Sequence, residues 1–292
     1  TPLFFAEFDN SQANTASTPQ RTLIIGQTLA GSTLPVNVPV LVSSVATVAG
    51  LCGAGSMLHG QMAAYLANDS AGEVYLLPLR DSEAMVAAIG KITVTTPASA
   101  TGVISLYIGG IRVQTTVVPT DDANTIALAL AAAIENKPEL PVTVAHTGEG
   151  VSEGAVVVLT AKNKGAHGNN IDLRLNYLGS AGGETTPESL VLSIIPMAGG
   201  AGAPELASGL ANLQDRTFDF IINPYTDTAS LDAIKAFLSD STGRWSYSQQ
   251  LYGHSFAAHS GTYGQLTAAG ELRNDQHASL LGIHNSPTPA YI

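Results

Sequence analysis

Two hydrophobic rhythms alternate along the chain. Short apolar runs bounded by Gly, Pro or Asn read as strands, and apolar residues three and four apart read as helix faces. Thr22-Leu23-Ile24-Ile25-Gly26 is the first buried-strand run, closed by its glycine. Val36, Val38, Val40 and Val42 alternate at strand period, and Pro39 puts that strand at an edge or bulge. Ser43-Ser44 offers an N-cap for a short helix through Leu51. Ser56 opens a second helix whose Leu58, Met62, Tyr65 and Leu66 share a face. Val74-Tyr75-Leu76-Leu77 is the next strand, with Pro78 as its stop.

At about Lys91 the rhythm becomes that of short strands. Val103 to Ile108 and Ile111 to Val117 flank Gly109-Gly110, a two-residue link that permits a primed hairpin turn. Ala155 to Ala161, Ile171 to Tyr177 and Leu190 to Ile195 follow as strands. One helix interrupts them, capped by Asp121 or Asp122, lined by Ile126, Leu130 and Ile134, and followed by Pro138. The stretch from Met197 to Pro204 reads as a linker. After it come a strand at Phe218 to Ile222 and a helix capped by Asp227 or Thr228 with Leu231, Ile234, Phe237 and Leu238 inward. Strands at Tyr252 to Ala258 and His277 to Ile283 enclose a helix around Leu266 to Leu272. The fold class expected is mixed α/β (α+β). Residues 21–91 and 199–292 form one α/β domain assembled from both ends, and residues 92–198 form an inserted β-rich, sandwich- or barrel-like domain with one helix. Residues 1–20 are polar after a short apolar start and read as an arm.

Composition narrows the function classes. Twelve basic against 23 acidic residues among 292 give a net charge of −11, which argues against direct nucleic-acid contact. Only 12% of residues are charged, about half the roughly 25% usual for a globular domain. Apolar stretches break well before the ~20 residues of a spanning helix, so no membrane insertion is expected. The single cysteine, Cys52, excludes an internal disulfide.

Candidate chemistry is sparse. Gly50-Leu51-Cys52-Gly53-Ala54-Gly55-Ser56 looks like a phosphate loop but fits neither phosphate-loop spacing. A glycine C-cap followed by a serine N-cap explains it. Ser255 lies beside His254 and near His259, the makings of a serine hydrolase, yet neighbours on a strand point to opposite faces. The seven histidines show no metal-ligand spacing. Arg244, Trp245 and Tyr247 suit anchoring a loop to a core. No catalytic, cofactor-binding or metal residue is assigned.

The order of several segments carries more. Arg21-Thr22-Leu23-Ile24-Ile25-Gly26 is followed by Pro39-Val40, then Gly53-Ala54-Gly55-Ser56-Met57-Leu58 and Leu77-Pro78-Leu79. Next come Leu106-Tyr107-Ile108-Gly109-Gly110, Gly168-Asn169-Asn170-Ile171-Asp172-Leu173-Arg174 and Met197-Ala198-Gly199-Gly200-Ala201-Gly202. Phe218-Asp219-Phe220-Ile221-Ile222-Asn223-Pro224-Tyr225-Thr226-Asp227, Arg244-Trp245, Gly253-His254 and Arg273-Asn274 complete the series. Over nearly its whole length the chain resembles the tail sheath protein of contractile-tailed bacteriophages in its Mu-like form. The resemblance implies a structural protein and not an enzyme, with an inner α/β part and inserted outer domains. It implies a homopolymer of stacked rings or a helix around the tail tube, contracting to drive the tube through the host envelope for genome ejection. The partners implied are other copies of the chain, the tail tube protein, and the baseplate and tail terminator proteins. The place implied is the virion tail, assembled in the bacterial host cytoplasm. The family continues where this chain stops at Ile292, so a fragment lacking the C-terminal inner domain is expected. The alternatives are a tailocin-type sheath, a serine hydrolase using Ser255 with His254 or His259, and an adhesion protein with a β-rich binding insert.

Overall fold

The computed structural model describes residues 20–147 and 155–292, so the arm expected over residues 1–20 lies, apart from Gln20, outside the described residues. β1 (Arg21–Gln27) is followed by β2 (Val40–Val42), α1 (Val45–Cys52), α2 (Met57–Asn68) and β3 (Glu73–Leu79). The middle of the chain forms β4 (Ile89–Thr96), β5 (Gly102–Ile108), β6 (Ile111–Val117), α3 (Ala123–Glu135), β7 (Val142–Thr147), β8 (Ala155–Ala161), β9 (Leu173–Leu175) and β10 (Val191–Ala198). Then come α4 (Ala207–Ala211), β11 (Phe220–Ile222), α5 (Thr228–Phe237), β12 (His254–Ser260), α6 (Tyr263–Glu271) and β13 (Ala278–Ile283). The class is mixed α/β, with the strands divided among three sheets.

Strands from both ends of the chain share the largest sheet, in the order β13-β12-β11-β1-β3-β2. All its pairings are parallel except the edge strand β2, which runs antiparallel to β3. Parallel neighbours need crossover connections, and the helices between strands supply them. Central β1 is covered on both faces. Leu23 and Ile25 enter one apolar cluster, while Ile24, pointing the other way, joins Val48, Cys52, Leu58 and Met62 beneath α1 and α2. Each such side chain stabilises the fold by roughly 1.5–3 kcal/mol on burial. Residues between β3 and α4 form two antiparallel sheets, β10-β4-β8-β7 and β6-β5-β9, with α3 packed against β4, β7, β8 and β6. The cluster that contains Leu23 also contains Ala88, Ile92, Leu106, Leu130 and Ile171.

Several segments differ from the sequence expectation. Pro78 does not end its strand, since β3 runs on to Leu79. The Pro78 carbonyl accepts from Asn37 N at 2.8 Å, on the side away from β1. The missing N–H faces that same side, where β2 no longer runs, so no ladder bond is lost. The Val36–Val42 alternation yields only the three residues of β2. The strand expected to reach Tyr177 is only Leu173–Leu175, and Asn176 turns the chain with φ 50°. β4, β7 and α4 were not foreseen. The expected linker is tied down: Met197 and Ala198 belong to β10, and Ala201 bridges to Val86. Among the described residues no helix is long and apolar enough to cross a membrane.

Candidate functional site

The sheet order reverses at β1, which has β3 on one side and β11 on the other. In open α/β sheets the crevice beyond the strand carboxyl ends at such a point is the usual place for a ligand. Next to that point, beyond the carboxyl ends of β11 and β12, lies a crevice of about 370 Å³. Its walls are Pro224 to Asp227 after β11, Ala258 to Ser260 at the end of β12, residues 166–170, and Tyr291. Asp227 caps α5, accepting from Ser230 N at 3.0 Å, and Thr226 Oγ1 lies 2.8 Å from His259 Nδ1. His167 stands edge-on to Tyr291 and Tyr225, with ring centres 5.4 and 6.2 Å away. It is 9% exposed, and neither ring nitrogen has a hydrogen-bond partner among the described residues. Burial pushes its pKa down to about 4, so it is uncharged at neutral pH.

Behind the crevice a polar clasp joins the parallel sheet to the antiparallel one. Gln27, fully buried at the end of β1, donates to Asp81 Oδ1 and to Lys164 O at 2.8 Å, and accepts from Tyr225 Oη at 3.1 Å. Asp81 Oδ2 accepts from Lys164 N at 2.8 Å. Asn163 donates to Thr28 O at 3.0 Å and accepts from Met57 N at 2.8 Å, capping the first turn of α2 from outside that helix. The expectation from sequence overlooked these residues. The available signal was Gln27 and Asp81, polar groups sitting where strands end.

The residues singled out from sequence do not assemble a catalytic centre. Ser255 is 2% exposed within β12, while His254 Nε2 pairs with Ser279 Oγ at 2.9 Å and His259 with Thr226. Nucleophile and base therefore do not meet. In the glycine-rich loop Gly53 ends α1 with φ 93°, and Ser56 Oγ accepts from His59 N at 3.2 Å. Lys162 Nζ fills the loop by donating to Ala54 O and Pro138 O at 3.0 and 2.8 Å, leaving no cradle for a phosphate. Burial pushes the Cys52 thiol up to about 12, which makes it a packing residue. Trp245 Nε1 donates to Gly253 O at 2.9 Å, and buried Arg244 donates to Gln214 O at 2.7 Å, so this pair anchors a loop, whereas Tyr247 is exposed and anchors nothing. Among the described residues no three His, Cys, Asp or Glu side chains converge as a metal cluster.

A family model described as the phage tail sheath protein central domain matches residues 199–291, the stretch that carries α4 to β13. Over 293 aligned positions the chain is 34% identical to the Mu-like prophage FluMu tail sheath protein of Haemophilus influenzae, covering all of this chain and 58% of that protein. Along its whole length the chain is similar to a phage tail sheath protein. Two solved sheath tail proteins match as well. One, from Listeria innocua, is 12% identical with a TM-score of 0.31, covering 84% of this chain and 48% of that one. The other, from Desulfitobacterium hafniense, is 16% identical with a TM-score of 0.33, covering 95% and 55%. The chain thus spans about half the length of these sheath relatives. These relatives are structural proteins of phage tails and not enzymes. Residues that the family model matches, from Gly202 to Tyr291, form one side of the crevice, and residues 166–170 close it from the other.

Proposed function

We propose that the chain is the part of a tail sheath subunit that polymerises with its own copies around a tail tube and contracts to drive the tube through a bacterial envelope. The observation that carries this reading is 34% identity to a Mu-like prophage sheath protein along the entire chain. The sheet built from both chain ends supports a division in which residues 21–91 and 199–292 form the sheath domain and residues 92–198 are an insertion facing outward. Contraction is a change of population between two packings of the polymer, so its work comes from subunit contacts that differ between them. Rigid bodies joined by arms suit such a change, and residues 1–20 are the proposed arm, adding a strand to a neighbour's sheet. The tail tube, baseplate and tail terminator proteins are the proposed partners, within the virion tail. Negative-stain microscopy of the complete protein tests this. Tubes of uniform diameter are expected, and deletion of residues 1–20 is expected to abolish them. A complete protein that stays monomeric where a sheath relative forms tubes overturns the reading, and normal tubes from the deletion variant overturn the role of the arm.

A further inference from the structure

We propose that the crevice beyond the carboxyl ends of β11 and β12 binds an alkylammonium or guanidinium group, with the Asp227 carboxylate as counter-ion. Charge is the first argument. Asp227 lines the crevice, and no lysine or arginine does. His167 adds no positive charge at neutral pH, because its burial keeps it unprotonated. An anion would meet the carboxylate, and the first turn of α5 is already capped by that same side chain.

Unused acceptors are the second argument. Asp227 Oδ1 accepts from Ser230 N, and its other oxygen has no partner among the described residues. The Ser260 hydroxyl and the Asn170 side-chain amide, both at the wall, also have none. An ammonium carries three donors and a guanidinium five, which suits a carboxylate oxygen flanked by a hydroxyl and an amide oxygen. The third argument is the aromatic wall. The rings of Tyr225 and Tyr291 border the cavity and give the alkyl stem of such a group an apolar surface. At about 370 Å³ the space admits a lysine- or arginine-sized group.

The cation has two sources, a free organic amine or a basic side chain of a second copy of this chain. Both present the same chemistry. The inference stands apart from the sheath reading, because binding is measured on the chain alone.

Titration calorimetry of the chain at low salt, where screening is weak, uses cadaverine and arginine methyl ester as probes and sodium acetate as the anionic control. Saturable binding of both cations and none of acetate is expected. Asp227→Asn keeps an N-cap residue while removing the charge. It is expected to weaken cation binding at least tenfold with the melting temperature retained. Should that variant unfold, Ser260→Ala supplies the comparison, with a smaller loss expected. Sedimentation distinguishes the sources. Self-association that cadaverine reverses identifies a neighbour's side chain, and a monomer that binds cadaverine identifies a free amine. The proposal is overturned by the absence of both cation binding to tens of millimolar and amine-sensitive association. Acetate binding as tightly as cadaverine overturns it too, as does binding that the folded variant leaves unchanged.

Discussion

Charging an imidazole in an apolar surrounding is costly, and His167 carries that cost into the acid stability of the protein. The unfolded chain holds this group at its ordinary 6.5 and the folded chain at about 4. Between those values the unfolded state binds a proton that the folded state does not. The contribution of His167 to stability is therefore constant above pH 6.5. It falls as the pH drops towards 4 and then levels, by at most about 1.4 kcal/mol per pH unit and ~3 kcal/mol in all. His59, lowered mainly by its own burial, acts in the same direction. The His167→Phe variant is expected to lose less stability than the parent between pH 7 and pH 5, measured by urea unfolding at both values. Equal losses would sink this account. Local chemistry of this grade was only partly legible. The caps at Ser44, Ser56, Asp122 and Asp227 were readable because each accepts from a backbone N–H three residues on. The isolation of His167 was not, because Tyr225 and Tyr291 reach it only in the fold.

At the scale of elements, turn chemistry was the most informative signal. Gly109 and Gly110 join β5 and β6 with φ values of 56° and 85°, the pair of left-handed residues that a type I′ turn demands. The two positions differ in what surrounds them. A Cβ at Gly109 would sit 3.4 Å from Pro141 Cγ, whereas one at Gly110 would come within 2.9 Å of Thr288 Oγ1. Gly109→Asn is therefore expected to change stability by no more than ~0.5 kcal/mol, because Asn-Gly is the favoured pair in this turn. Gly110→Val is expected to cost more than ~1 kcal/mol, since a β-branched residue resists positive φ. Denaturant midpoints of the two variants check the contrast, and equal destabilisation would refute it. Strand lengths were less legible. Ile171, Leu173, Leu175 and Tyr177 alternate well beyond the three paired residues, because alternation records which way side chains point and not whether a partner strand is present. β7 shows the converse. Its alternating Val142 and Val144 were obscured by Pro138 and Pro141, which read as the edges of a loop.

For the whole molecule, the sheet built from both chain ends was legible because α/β patterning stops near Lys91 and returns after Gly199. What fastens that sheet to the rest was not legible, because the clasp links residues as far apart as Thr28 and Asn163. Apolar periodicity carries no record of such a contact. The apolar cluster crosses the same boundary, so the parallel and antiparallel sheets are expected to unfold together. Asn163 tests this sharply. It is 6% exposed, and Asn163→Ala removes the partner of Met57 N and of Thr28 O while leaving the surrounding backbone in place. Each buried group left unpaired costs about 1–3 kcal/mol, so a loss of roughly 2–6 kcal/mol is expected. If the clasp couples the sheets, hydrogen exchange quickens alike in β1 and in β8, and denaturation remains one transition. Faster exchange confined to residues 161–165, with β1 unaffected, would make Asn163 a local loop residue and leave the apolar cluster alone to couple the two sheets.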